Sequence, residues 1–421
     1  MDDSSGKPIS RRDPEVPVQA DAPSPQELKA RFGRDIFRDF NYDDPGFNTH
    51  FAETLDTQLK HCPVSRSNVG TGYWWVTRNE DVRRVGQDWR TFSNAKGYQP
   101  NRPEGLPYLY PEESDPPRHT AWRNVLNPHL SPGVVARYED PIRQDVNHLI
   151  DRFIDKGACE FVNEFGAILP GWAFFKNVLG VPVDDLSMLV EGVERGTFAP
   201  VEERAGHFGR VFEYLGKFLE ARSKEPPKGD MVDTILKGVT YEGGEQSTWE
   251  HKVSILVDIT FGGIATTTYV MASAIHYLAT HPGEREALID NFDMMPNAIE
   301  EFARVYPPVV GLGRTCTRDV EVAGAKMKEG DFVMLAYAAS SRDPRVVENP
   351  TKVDIFRESV LHSTFGVGPH RCIGSNLARL ELRTTLEEWL KRIPNFAMKP
   401  GTAPIYETGF LRSMRGLHLV W

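Results

Sequence analysis

The sequence predicts a mainly α-helical fold with a minor β part, and three stretches carry that prediction. From Ser247 to Pro282 helix-compatible residues run on unbroken, opened by a capping-box pattern in which Glu250 follows Ser247 by three. At 1.5 Å per residue this helix would be about 50 Å long, enough to cross a whole domain. A final helix carries Leu377, Leu380, Thr384 and Trp389 along one side. The β signals are few: "GYWWVTR" (72–78) reads as a strand, and "RDVEVAGAKMKEGDFVML" (318–335) alternates as a hairpin does.

In chain order, residues 1–27 are rich in Pro and charge with no apolar core, which reads as a flexible arm and as neither secretory signal nor membrane anchor. Residues 28–421 then read as one large domain. "NEDVRRVGQDW" follows the first strand as a short helix, and 118–222 is mostly helical with breaks near Pro170 and Pro182. Turn-like "EPPKGD" and "YEGGEQS" flank another short helix. A helix from Asn297 stops at Pro307-Pro308. Pro, Gly or charge interrupts the apolar stretches before the roughly 18–20 residues a membrane span needs, so no membrane is expected. A net charge of −10 speaks against nucleic acid as a partner. Four scattered cysteines without CxxC spacing fit a reducing cytoplasm.

"FGVGPHRCIG" (365–374) is a Gly-rich loop running into the last helix. A cysteine there faces backbone N–H groups and the positive end of a helix dipole, which favours the thiolate. Gly366 and Gly368 let the chain bend around the sulfur, Gly374 leaves space for a flat ligand, and His370 and Arg371 add positive charge. Such a thiolate suits a nucleophile or a metal ligand. The pattern Phe-Gly-x-Gly-x-His-x-Cys-x-Gly resembles the haem-binding loop of the cytochrome P-450 family. That resemblance makes Cys372 the proximal iron ligand of haem b.

Further motifs resemble the family in its order. "EFAR" matches its Glu-x-x-Arg through Glu301 and Arg304, with Arg357 of "VDIFR" as third partner. "DPPRHTAWR" resembles the helix whose His and Arg, here His119 and Arg123, pair with haem propionates. Arg314 and His370 fall where the family supplies the other propionate partners. The implied fold holds haem between distal and proximal helices. The chain end looks most like the soluble bacterial branch that includes camphor hydroxylase.

The same resemblance bears on "FGGIATTT" (261–268), whose glycines and threonines are poor choices for a helix centre. Ile259, Gly262, Gly263, Thr266 and Val270 share a helical face. The family places this helix over the haem, where the glycines leave room for dioxygen and substrate and Thr266 relays protons. The usual acid before that threonine is Ala265 here, which implies leakier dioxygen activation. Asp258 stands near the same face where the family has an apolar residue. It must be solvated, protonated or paired, either with an Arg or Lys or with a polar or cationic group of the substrate.

The resemblance further implies a substrate pocket. Tyr98, Leu106 and Tyr108 lie in the lid segment; Phe198, Phe261, Val309, Val310, Phe410 and Leu411 supply other walls, with Ile259 and Gly262. Such a cavity suits a mainly apolar small molecule, terpenoid-like or aromatic. The implied activity is monooxygenation, hydroxylating or O-dealkylating with dioxygen and electrons from a separate ferredoxin and its NAD(P)H-dependent reductase. Arg123, Arg371 and Arg379 form a basic patch for an acidic ferredoxin. The alternatives are a peroxide-driven or non-oxidative haem-thiolate enzyme, or a haem-thiolate binding or sensor protein.

Overall fold

The computed structural model describes residues 22–421 except 36, 42, 43, 45, 46, 48, 49, 101–106, 200 and 410. Leu106 and Phe410 therefore lie outside the described residues. Helix α1 (Pro25–Phe32) begins inside the segment assigned to the arm. Ser24 caps it in a capping box with Glu27, and Gly33 closes it at φ 68°. It packs on α2 (Phe51–His61), where Thr57 donates to the Pro23 carbonyl at 2.9 Å.

A five-stranded sheet has the order β1 (Val64–Ser67), β2 (Tyr73–Val76), β5 (Phe332–Leu335), β4 (Leu312–Cys316), β3 (Phe92–Ser93). Only β2 and β5 run parallel in it. The expected 318–335 hairpin is thus divided. Val320–Val322 pairs with Ala325–Met327, while Phe332–Leu335 joins the main sheet. Helix α3 (Asn79–Gln87) follows β2. Helices α4 (Arg118–Leu126), α5 (Glu139–Asp151), α6 (Leu186–Phe198) and α7 (Val201–Arg222) fill the middle of the chain. Pro170 does not break this region. Residues 161–179 stay helical, with wide π-type turns on either side of Ile168–Gly171 that absorb the missing amide.

The long central helix is two helices, α8 (Trp249–Gly263) and α9 (Ala265–Thr280), separated at Ile264 with φ −105° and ψ −72°. The cap is Thr248, one residue after the predicted Ser247, and its reciprocal partner is His251. Thr266 Oγ1 donates to the Gly262 carbonyl at 2.9 Å, and Thr268 Oγ1 to the Ile264 carbonyl at 3.0 Å. The poor helix formers sit where the ladder is interrupted, and the hydroxyls take up its carbonyls. The expectation about membrane length fails here, because Trp249–Thr280 is long and apolar enough to cross one, with a mean hydropathy of 1.4. Yet 67% of that window is buried, and the pair packs on α7, on the strand Arg412–Gly416 and on α11 (Ser375–Arg392). It is the core helix of the fold. Helix α10 (Met295–Val305) also packs on α11, whose Leu377, Leu380, Thr384 and Trp389 are all buried.

Candidate functional site

The loop 365–374 is held by its glycines. Gly368 sits at φ 73°, and a Cβ there would lie 2.1 Å from the Gly86 carbonyl oxygen, so loop and α3 approach backbone to backbone. Cys372 N–H donates to the Phe365 carbonyl at 2.8 Å. Its thiol is exposed although protein surrounds it. A group ringed by protein and still open to solvent lines an internal space. Burial pushes the thiol up, outweighing the Gly374 N–H and the positive charges of Arg123 and Arg379. The expected preference for free thiolate is therefore reversed, and a bound metal ion would supply the missing stabilisation.

Basic groups converge beside this space. His119 of α4 lies against His370 with ring centroids 4.1 Å apart, and neither ring has a hydrogen-bond partner on either nitrogen. Arg314 of β4 is 1% exposed, with Nη1 on the Gly313 carbonyl and Nη2 unpartnered. Burial, with His370 and Arg123 nearby, pushes His119 down to about 3. Arg123 is part-buried, with Nε on Asn127 and Nη2 on the Arg371 carbonyl at 2.7 Å. Unmade hydrogen bonds on buried donors are costly, so this cluster is built for an anionic ligand. One carboxylate neighbour among the described residues is one the sequence reading missed. Glu112 Oε2 lies 3.7 Å from His370 Nδ1, and Asn94 holds the Glu112 carbonyl at 3.0 Å. Burial raises the Glu112 carboxyl, but His370, Arg314 and His119 together hold it at about 2. Nothing in "YPEES" distinguishes Glu112 from Glu113 for this position.

From the distal side, Gly262 is exposed near the end of the largely buried α8, and a Cβ built on it meets nothing within 4 Å. Asp258, Gly262 and Thr266 follow one another at four-residue steps on the α8–α9 face. Asp258 is enclosed by protein yet part-exposed, like Cys372, and its charge reaches the same Arg123 that feels the thiol. No Arg or Lys pairs with it among the described residues. Burial and the neighbouring Glu112 and Glu113 push its carboxyl well up. The Arg or Lys partner of the paired reading is therefore not found among the described residues.

Glu301 and Arg304, both fully buried, form a two-point ion pair at 2.7 and 2.8 Å. Arg357 joins Glu301 at 3.2 Å, and Arg304 also donates to the carbonyls of Pro350, Ser341 and Lys352. The network ties α10 to the segment ahead of the Cys loop. Among the wall residues, Phe261 stacks edge-on with Phe208 at 4.5 Å, Ile259 is buried, and Val309 bridges Leu411. The Tyr98 carbonyl accepts from Gly313, and the Tyr108 carbonyl from Ser254. Val310 is fully buried among Phe51, Trp75 and Met334, which makes it core rather than wall. Phe198 lies under the Arg415 guanidinium at 5.0 Å. Arg379 is no free surface cation. It is bound twice to Glu300 and lies over Phe365, leaving Arg371 as the exposed member of the expected patch.

A family profile described as Cytochrome P450 matches residues 185–412. The chain belongs to the cytochrome P450 family. A probable cytochrome P450 127A1 of Sinorhizobium fredii is 32% identical over 85% of each chain. A steroid C26-monooxygenase of Mycolicibacterium smegmatis is 30% identical over 85% of this chain and 90% of that one. The crystal structure of CYP101J2 superposes with TM-score 0.81 at 29% identity, covering 91% of this chain and 97% of the other. These agree with the resemblance to the camphor hydroxylase branch and with the mainly helical P450 fold. This P450 is a monooxygenase whose cofactor is haem b with a cysteine thiolate ligand. The unpartnered nitrogens of His119, His370 and Arg314, and the open thiol of Cys372, fit a flat dianionic macrocycle carrying iron. These are the residues that would hold it, with Arg123.

Proposed function

We propose that this P450 hydroxylates, or O-dealkylates, a mainly apolar small molecule of terpenoid-like or aromatic type in the cytoplasm. Electrons come from a separate ferredoxin and its NAD(P)H-dependent reductase. The observation that carries the reading is the exposed Cys372 thiol beside the unpartnered buried nitrogens of His119, His370 and Arg314, with Asp258, Gly262 and Thr266 also partly open along one helical face. Haem bound there supplies activation of dioxygen and transfer of one oxygen atom to a C–H bond. The protein's own share is positional. Thr266 donates its hydroxyl in a hydrogen bond to the Gly262 carbonyl, which leaves its oxygen free to accept from a water and hold that water at the distal face. Gly262 keeps volume over the site, while Phe261 and Ile259 supply apolar wall.

The test is the ferrous–CO spectrum of the reconstituted protein, followed by product formation with ferredoxin, reductase and NAD(P)H. The expected result is a thiolate-type Soret band that moves to shorter wavelength in Cys372→His, together with an oxygenated product. A band unmoved by that substitution overturns the ligand assignment. Product from peroxide alone, with none from the electron-transfer chain, favours the peroxide-driven alternative.

A further inference from the structure

The segment Tyr108–Glu113 lies along α8 and is fastened there by backbone contacts. Tyr110 N–H donates to Ser254 Oγ at 2.9 Å, Ser254 Oγ donates to the Tyr108 carbonyl, and Glu113 accepts from Leu109 N–H at 2.8 Å. One turn beyond Ser254 stands Asp258, with the Glu112 N–H facing its carboxyl. Glu112 and Glu113 come from this segment, so three carboxyl groups meet at one end of the distal face. The nearby cation, Arg123, directs Nε and Nη2 to Asn127 and to the Arg371 carbonyl. Asp258 has no cationic partner among the described residues and is partly exposed.

A carboxyl has about four acceptor positions, and one backbone N–H occupies only one of them. Burying it without a counter-ion costs far more than an apolar residue at the same place. The cost is recovered if the molecule that fills the cavity brings the cation. The open thiol of Cys372 and the open space at Gly262, one turn beyond Asp258 on the same face, are observations independent of the acid itself. We propose that Asp258 is the specificity-determining residue of this pocket and that the substrate is an apolar amine, whose protonated nitrogen rests at Asp258. This rests on the haem-thiolate reading of the cavity. Eight residues separate Asp258 from Thr266, about 12 Å along a helix axis, so the oxidised carbon lies several bonds from the nitrogen.

The test uses ferric holoprotein and two probes of one shape, 4-phenylbutyl-trimethylammonium and its neutral carbon isostere with a tert-butyl end. Neither can ligate iron, so each is read by its Soret spin-state shift. The wild type binds the cation roughly tenfold or more tightly than the isostere, and Asp258→Asn brings the ratio near one while leaving the isostere's affinity unchanged. Equal affinities in the wild type overturn the proposal, as does a preference that survives Asp258→Asn. If Asp258→Asn does not retain haem, Asp258→Ser is measured instead and read the same way. The ferrous–CO band is recorded on every sample. Without a thiolate-type band in the wild type it is the haem-thiolate reading that fails; with the band present and a ratio near one, only the amine inference fails.

Discussion

Ala265 and Thr266 divide between them what the family usually assigns to an acid and an alcohol. Thr266 keeps its contact to the Gly262 carbonyl at 2.9 Å, while Ala265 offers no proton. Thr266→Val therefore lowers the fraction of reducing equivalents that reach product, by several-fold, with protein stability little changed. Ala265→Asp raises that fraction. Both are checked by comparing NAD(P)H consumed with product formed; an unchanged fraction in Ala265→Asp counts against the role given to this position. Two glycines give opposite expectations at the same scale. Gly262 has helical backbone and empty space around its Cβ position, so Gly262→Ala stabilises by about 0.5–1 kcal/mol and narrows the cavity. Gly368 has φ 73° and a Cβ position 2.1 Å from the Gly86 oxygen. Gly368→Ala destabilises by about 2 kcal/mol or more and loosens the Cys372 loop. Thermal unfolding of the two variants separates them.

Between elements, the α10–α11 contact is electrostatic as well as apolar. Glu300 of α10 accepts from Arg379 of α11 and from His362 at 3.1 Å. Burial raises its carboxyl, but Arg379 and His362 hold it at about 2. A carboxylate held below its unfolded value contributes stability above that value, near 4.5, and loses it as pH falls through about 2. Glu300→Gln therefore costs about 2 kcal/mol at pH 7 and flattens the stability curve between pH 4.5 and 2, as denaturant melts at several pH values will show. This scale also shows what the sequence makes legible. The Cys372 loop, the Glu301–Arg304 pair and the buried side of α11 can be read because each depends on local spacing along a single segment. The break at Ile264 cannot, since two glycines and three threonines are compatible with a continuous helix until the packing decides. Glu112 escapes for a different reason. Its partners His370, Arg314 and Asn94 come from three remote segments, and local sequence does not say which of two adjacent glutamates turns toward them. Val310 reads as wall by position but is claimed by the aromatic cluster of Phe51 and Trp75.

At the scale of the whole molecule, net charge and local charge oppose each other. The chain carries −10 overall, which repels an acidic redox partner at a distance. On the proposed ferredoxin route, docking would depend on cations concentrated near the Cys372 loop. Pairing of Arg379 with Glu300 removes one of the three expected there, and Arg123 is turned inward to the Arg371 carbonyl. Arg371, exposed and adjacent to Cys372, is the one of the three left facing solvent. Its charge acts across water and is screened over about 8–10 Å at physiological salt. Reduction of the ferric protein by an acidic ferredoxin therefore slows as salt rises, and Arg371→Glu slows it at low salt by roughly tenfold while flattening the salt dependence. Arg379→Gln acts differently. It leaves the salt slope almost intact and lowers stability, because it leaves Glu300 without its guanidinium partner. Stopped-flow reduction rates against ionic strength for the three proteins decide the matter, and a wild-type rate indifferent to salt rules out electrostatic docking at this face.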